Sequence, residues 1–104
     1  METLASAAQS IYVYDLEAYP NYFLALFKRL GTDDYDTFVI EDTASQEDNE
    51  QAVTGLFELV TRPDTWLIGY NSFRFDDTIL RYIFREQVCH AERIFEFATR
   101  VLAS

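Results

Sequence analysis

The sequence predicts an α/β (α+β) fold, with a mixed sheet of about four strands in the order β-β-β-α-β-α and a C-terminal helix. Two patterns carry this prediction. Apolar and β-branched runs of strand length fill residues 11–41, and apolar residues at helical spacing dominate later segments. The length of 104 residues suits one domain, residues 11–104, behind a flexible lead-in of residues 1–10.

Three strands are predicted before the first helix. Residues 11–17 form the first, and a turn at residues 19–21, which contains Pro20, leads into a second strand over residues 22–30. Residues 31–34 supply the next turn, and residues 35–41, rich in aromatic and β-branched side chains, form the third strand. The first two strands should pair as an antiparallel hairpin.

The first helix is predicted to begin at Ser45, which together with Asp48 resembles a capping box, and to end before Pro63. Apolar residues at positions i, i+3, i+4 and i+7 mark its buried face. They are Val53, Leu56, Phe57 and Val60. Ser45 and this spacing together predict a helix that packs against the sheet.

A fourth strand and two further helices complete the prediction. Residues 65–70, "TWLIGY", are nearly all apolar, which favours a central strand covered on both faces. A second helix follows over about residues 75–88, and a third begins near Ala91, with Ile94 and Ala98 at helical spacing. The third helix could pack on its own sheet, exchange with another copy or bind a partner.

The charge balance is strongly acidic. Eighteen acidic residues face eight basic ones, giving a net charge of −10, and no Lys or Arg occurs between Leu30 and Thr61. The electrostatic field of this negative charge repels nucleic acid and anionic membranes. It favours a basic protein surface as the partner. Residues 22–27, the longest apolar run, are too short to span a bilayer. The single cysteine, Cys89, allows no intramolecular disulfide, so we expect a cytoplasmic protein.

Asp15 and Glu17 lie two residues apart on a strand that is otherwise apolar. Residues i and i+2 share a face of a strand, so both carboxylates can point at one cation. Oxygen ligands favour Mg²⁺ or Mn²⁺. Two simpler explanations stay open: an edge strand that presents both acids to water, or arginines of the helices that pair with them.

Asp76 and Asp77 occupy the predicted start of the second helix. Acidic residues at a helix N-terminus are explained by the helix dipole or by capping, without any chemistry. Taken alone, neither this pair nor the first one defines a site. Their order along the chain is more specific.

The "YDLE" of residues 14–17 and the "GYNSFRFD" of residues 69–76 resemble the first two motifs of the DEDD (DnaQ-like, ribonuclease H-like) 3′–5′ exonucleases. The stretch "YDLEAYPNYF" is most similar to the exonuclease domains of bacteriophage-type DNA polymerases. The resemblance covers residues 11 to about 84 and includes the order of elements. It implies a truncated ribonuclease H-like fold.

The resemblance also implies roles for single residues. Asp15 and Glu17 would bind the catalytic metal, Asp76 would bind a second Mg²⁺ or Mn²⁺ ion, and Asn71 and Phe75 would shape the site. Family members use a fourth carboxylate from a third motif on a later helix. Nothing after Asp77 fits that motif, because the remaining sequence contains no aspartate. The resemblance therefore implies an incomplete catalytic site.

We therefore expect a catalytically incomplete, exonuclease-like domain that binds a basic protein surface, such as that of a nucleic-acid-binding protein, through Glu47, Asp48 and Glu50. A phage-encoded inhibitor, either an anti-CRISPR or an anti-nuclease protein that mimics nucleic acid in the host cytoplasm, fits this pattern. The alternative is a Mg²⁺- or Mn²⁺-dependent 3′–5′ exonuclease completed by a second copy, as in a homodimer, or by another subunit.

Overall fold

The computed structural model describes residues 10–69 and 74–103, with only the backbone described for Arg74 and Phe75. The predicted order of elements is confirmed. The elements are β1 Ser10–Tyr19, β2 Tyr22–Arg29, β3 Tyr35–Glu41, α1 Gln46–Val60, β4 Thr65–Gly69, α2 Arg74–Glu86 and α3 Ala91–Ala103. The predicted lead-in lies outside the described residues apart from Ser10, which is the first residue of β1.

The four strands form one mixed sheet in the order β3-β2-β1-β4. The predicted hairpin is present: β1 pairs antiparallel with β2, and β2 pairs antiparallel with β3. β4 returns parallel to β1 after the crossover through α1. β1 is therefore an inner strand, flanked by one antiparallel and one parallel neighbour.

Helices and strands share a core on one face of the sheet only. Every buried strand residue belongs to the alternating set that points toward this helix-covered face, and the buried apolar residues of all three helices join the same cluster. The strand members are Tyr12, Tyr14, Leu16, Phe23, Ala25, Phe27 and Ile40. The core is thus two layers, helices on a sheet.

Phe27 lies at the centre of the strand side of this core. Its ring stacks on Tyr14, with centroids 5.3 Å apart, and meets the edges of Tyr12 and Phe38 at 6.4 and 5.9 Å. Offset-stacked and edge-to-face pairs are the favoured aromatic geometries. These contacts join three neighbouring strands through one side chain.

The beginning of α1 confirms the predicted cap, since the hydroxyl of Ser45 accepts a hydrogen bond from the backbone N–H of Asp48 at 3.0 Å. One turn later Asn49 is buried, and its side-chain amide forms two hydrogen bonds with the backbone of Glu41. These bonds tie the start of α1 to the end of β3.

α2 ends in a left-handed residue, Gln87, with φ of 53°. The N–H of Val88 then donates to the C=O of Ile83 at 3.0 Å, and both side chains are fully buried. This is a Schellman-type ending with its usual apolar contact. The turn directs α3 back across β1 and β2, so α3 packs on the sheet of its own chain.

The prediction of a covered central strand at residues 65–70 is wrong for the described part of the chain. β4 lies at the end of the strand order, and the side chains of Trp66 and Ile68 are 62% and 49% exposed. Tyr70 lies outside the described residues. The apolar sequence of this strand is thus placed at an edge, with one face uncovered.

The N-terminus of α3 is capped from a distant part of the chain. The two carboxylate oxygens of Asp42 accept hydrogen bonds from the N–H groups of Ala91 and Glu92, at 2.8 and 3.1 Å. An anionic acceptor at this position satisfies two otherwise unpaired donors and complements the helix dipole. Asp42 thus holds α3 to the loop after β3.

We expect Asp42→Ala to lower the free energy of unfolding by about 2 kcal/mol, because both capping bonds and the favourable dipole interaction are lost. Asp42→Asn keeps one acceptor oxygen and should cost about half as much. Urea denaturation followed by circular dichroism measures both. The matched control is Asp36→Ala, which removes the same charge from an exposed position on β3; an equal loss in the control would contradict the capping role.

Candidate functional site

The face of the sheet opposite the helices is the candidate functional surface, and we call it the open face. No described helix packs on it. It consists of the alternating residues Ile11, Val13, Asp15, Glu17, Tyr22, Leu24, Leu26, Lys28, Tyr35, Thr37, Val39, Glu41, Trp66 and Ile68. It therefore includes the Asp15–Glu17 pair that the sequence singled out.

Apolar side chains occupy positions on all four strands of the open face. The register places Ile11 beside Trp66 and Val13 beside Ile68, while Leu24 pairs with Val39 on the other side. Trp66 and Ile68 are 62% and 49% exposed, whereas the apolar residues of β1 and β2 on this face are partly buried. Exposed apolar clusters on soluble proteins are often interaction sites.

Polar residues lie among these apolar side chains. Asp15 and Glu17 follow Val13 along β1, opposite Leu26 and Leu24 of β2. Lys28 lies opposite Val13, and its Nζ donates to the C=O of Thr32 at 3.2 Å. The open face is thus a mixed surface, in which two carboxylates and a lysine lie next to apolar residues.

Glu17 is exposed, and its Oε1 accepts a hydrogen bond from the hydroxyl of Tyr19 at 3.1 Å. This bond to a carboxylate raises the pKa of the Tyr19 phenol above its usual value. Asp15 is only partly buried. The two carboxylates are accessible to water on the open face. They therefore need no buried positive charge beside them.

Asp76 lies in the first turn of α2 and is 2% exposed. Its charge and that of Asp77 act on Tyr14, which points into the helix-covered core beside Phe27. Tyr14 directly precedes Asp15 in β1. The first turn of α2 therefore lies on the helix side of the sheet, near Tyr14 and next to the part of β1 that carries the acidic pair.

The three acids do not form a metal site as they are placed. Among residues 10–69 and 74–103, no three His, Cys, Asp or Glu side chains are grouped closely enough to hold a metal ion. Asp15 and Glu17 share the open face, and Asp76 is not grouped with them. The residues present therefore do not fit the two-ion site that the resemblance implies. The predicted Asn71 and the side chain of Phe75 lie outside the described part of the chain.

Arginines of the helices do not neutralise Asp15 or Glu17 within the described ranges. Arg81 pairs with Asp77 at 2.8 Å on the exposed side of α2, and Arg85 contacts Glu86 at 3.2 Å. Both interactions are local pairs on one helix, which contribute little to stability. The acidic pair on β1 has no ion-pair partner among the described residues.

The acidic residues predicted to dock on a partner, Glu47, Asp48 and Glu50, are all exposed on α1. Glu47 and Asp48 occupy the first turn, where negative charge stabilises a helix, and Glu50 accepts a hydrogen bond from Gln46 at 2.9 Å. α1 lies on the helix-covered side. These acids therefore form a surface separate from the open face.

The apolar part of the open face was missed by reasoning from sequence. Leu24, Leu26, Val39, Trp66 and Ile68 all belong to it. The signal was present in residues 22–27, where both alternating sets of side chains are apolar. A strand that is apolar on both faces indicates that both faces will be covered.

Burial raises the pKa of Tyr14 from its ordinary value of 10 to about 12, and the charges of Asp76 and Asp77 add to this effect. Between these pH values the unfolded chain loses the Tyr14 proton and the folded protein keeps it, so folding stability falls as pH rises. We expect Tyr14 to contribute a loss of roughly 2 kcal/mol on passing from pH 10 to 12, and none below pH 10.

Urea unfolding of the wild type and of Tyr14→Phe across this pH range measures the contribution of Tyr14. The variant lacks the phenol and should show a shallower decline in the free energy of unfolding. Identical pH profiles for the two proteins would contradict the effect of burial on Tyr14.

No family model matches the chain, and neither a curated protein nor a solved structure shows significant similarity to it. Within the described residues, no helix has the length and apolar character needed to cross a bilayer. The class of protein that the observed fold defines is a small α+β domain with a mixed four-stranded sheet, covered by helices on one side.

Proposed function

We propose that this protein is a binding module, exonuclease-like in its motifs and catalytically incomplete, that docks a partner polypeptide on its open face. One observation carries the proposal. The open face carries apolar side chains on all four strands and is covered by no described element, with Trp66 62% exposed. Exposed apolar surface gains free energy by leaving water, at about 25 cal/mol per Å².

The polar residues of the open face indicate what the partner should offer. Asp15 and Glu17 lie opposite Leu26 and Leu24, so a partner with a basic side chain near this pair gains a charge-assisted contact. The net charge of −10 favours a basic partner from a distance as well. One such module would be an inhibitor of a host nuclease or CRISPR complex. We propose that it acts in the cytoplasm, where Cys89 stays reduced.

Two surfaces compete for the docking role, and one experiment separates them. Capture from an extract of the source cells is compared for the wild type, for Leu24→Lys with Leu26→Lys, and for Glu47→Lys with Asp48→Lys and Glu50→Lys. We expect the open-face variant to lose the captured protein and the α1 variant to keep it. Melting curves by circular dichroism verify that each variant folds.

In the opposite result, only the α1 variant would lose the captured protein, and its remaining binding would depend less on salt concentration. That result would assign the docking site to the acidic surface of α1. Capture that survives both sets of substitutions would contradict both surfaces.

A second candidate is an exonuclease completed by another subunit or a second copy. The observation that favours it is that Asp76 acts on Tyr14, the residue that directly precedes Asp15 in β1, although the two acids lie on different sides of the sheet. The test is release of mononucleotides from labelled single-stranded DNA with Mg²⁺ or Mn²⁺. Asp15→Ala is the control, and release that this substitution abolishes would replace the binding module with an enzyme.

Metal binding without hydrolysis has its own measurement. A rise in melting temperature with added Mn²⁺, lost in Asp15→Ala, would reveal an ion held at the acidic pair. We expect no such rise for the isolated protein, because its three acids are not grouped.

A further inference from the structure

We infer that the free edge of β4 accepts an extended segment of the partner polypeptide as a fifth strand. This inference rests on the proposed function, because it names how the partner of the open face is held. The starting point is a conflict between sequence and position. The residues "TWLIG" have the composition of an inner strand, yet β4 ends the strand order of the described sheet.

The two edges of the sheet differ in their protection. Edge strands usually carry charged residues, prolines or bulges that prevent pairing with other chains. β3 follows this rule, since Tyr35, Asp36 and Thr37 make its first half exposed and mostly polar. β4 contains neither a charged residue nor a proline. β4 is therefore the unguarded edge.

The hydrogen-bonding groups of the free edge can be assigned. Ser10 donates its N–H to the C=O of Asp64 at 2.9 Å, at the beginning of the parallel ladder. In a parallel pair, alternate residues of one strand bond to the neighbour. Trp66 and Ile68 therefore turn their backbone groups toward β1, while Leu67 and Gly69 turn theirs outward.

The outward groups are suited to a new strand. The N–H of Thr65 already donates to the C=O of Arg62 at 3.2 Å, so the first outward donor that no described residue engages is that of Leu67. Trp66 and Ile68 project onto the open face directly beside this edge. A strand added here would supply backbone partners and, with apolar residues at alternate positions, would cover both side chains.

A second copy of this chain is a poor occupant. Pairing β4 with its own counterpart about a two-fold axis would bring together two chains that each carry −10 charge, and it would leave both open faces uncovered. A segment of a different polypeptide can pair with β4 and continue across the open face. Its expected chemistry is an extended stretch with alternating apolar residues and no net negative charge.

The probe is a short peptide selected against the folded protein from a random display library, and the readout is amide hydrogen exchange along β4. We expect bound peptide to slow exchange at Leu67 and Gly69 by about tenfold or more. Trp66 and Ile68, whose amides already bond to β1, should change little. Ile68→Lys should abolish binding, and Gln51→Lys, at an exposed position of α1 outside the open face, should not.

Three results would overturn the inference. Peptides that bind without slowing exchange at Leu67 and Gly69 would show docking on the open face alone, which leaves the proposed function standing. Failure to select any peptide would count against strand addition and, together with failure of capture on the open face, against the proposed function. Protection of Leu67 that grows with protein concentration and needs no peptide would assign the edge to a second copy.

Discussion

Replacing Phe27 with alanine is expected to lower the free energy of unfolding by about 4 kcal/mol, a large part of the roughly 5–15 kcal/mol that stabilises a typical domain. Phe27 is fully buried and contacts the rings of Tyr12, Tyr14 and Phe38. The alanine variant loses the transfer energy of the ring, opens a cavity and removes three aromatic contacts that connect β1, β2 and β3.

Phe27→Leu is the matched control, because it keeps most of the buried volume and should cost only about 1 kcal/mol. Thermal and urea unfolding followed by circular dichroism measure both variants. A small loss of unfolding free energy in the alanine variant would mean that the core repacks around the missing ring. That result would contradict the central role of Phe27 in the core.

Asn49→Ala is expected to lower the free energy of unfolding by about 3 kcal/mol, more than most single substitutions. The Oδ1 of Asn49 accepts from the N–H of Glu41 at 3.1 Å, and its Nδ2 donates to the C=O of the same residue at 2.8 Å. Asn49 is only 4% exposed, so water cannot readily replace these bonds.

Asn49→Asp tests the donor separately. A carboxylate can accept from the N–H of Glu41 but cannot donate to its C=O, so this variant should also be destabilised at neutral pH. Gln51→Ala, at an exposed position of the same helix, should change stability by less than about 0.5 kcal/mol. Equal unfolding midpoints for Asn49→Ala and Gln51→Ala would contradict the role of the amide.

Local sequence patterns were sufficient for the order and the types of the elements. Apolar and β-branched runs separated by turns in residues 11–41 predicted three strands, and the cap at Ser45 predicted the start of α1 because its mechanism is local. The positions of Asp42 and Asn49 in hydrogen bonds to other elements could not be predicted, since each depends on tertiary contact. Local patterns report local interactions.

The main error concerns β4, and its cause is physical. An all-apolar strand predicts cover on both faces, but strand order depends on which partners are available to pair. The same error led reasoning from sequence to miss Trp66 and Ile68 as surface residues. For the candidate site, spacing placed Asp15 and Glu17 together on one face, as observed, whereas the grouping of Asp76 with them depends on a convergence of separate elements, which is not found among the described residues.

The carboxylate that caps α3 also constrains the order of folding. Asp42 and Ala91 are 49 positions apart, and Asp42 directly follows β3. The first turn of α3 therefore gains its acceptors only after the sheet has brought the loop after β3 to the place where that helix begins. We expect the hairpins to form early and α3 to dock in the last step, so that Asp42→Ala should speed unfolding while leaving the refolding rate nearly unchanged.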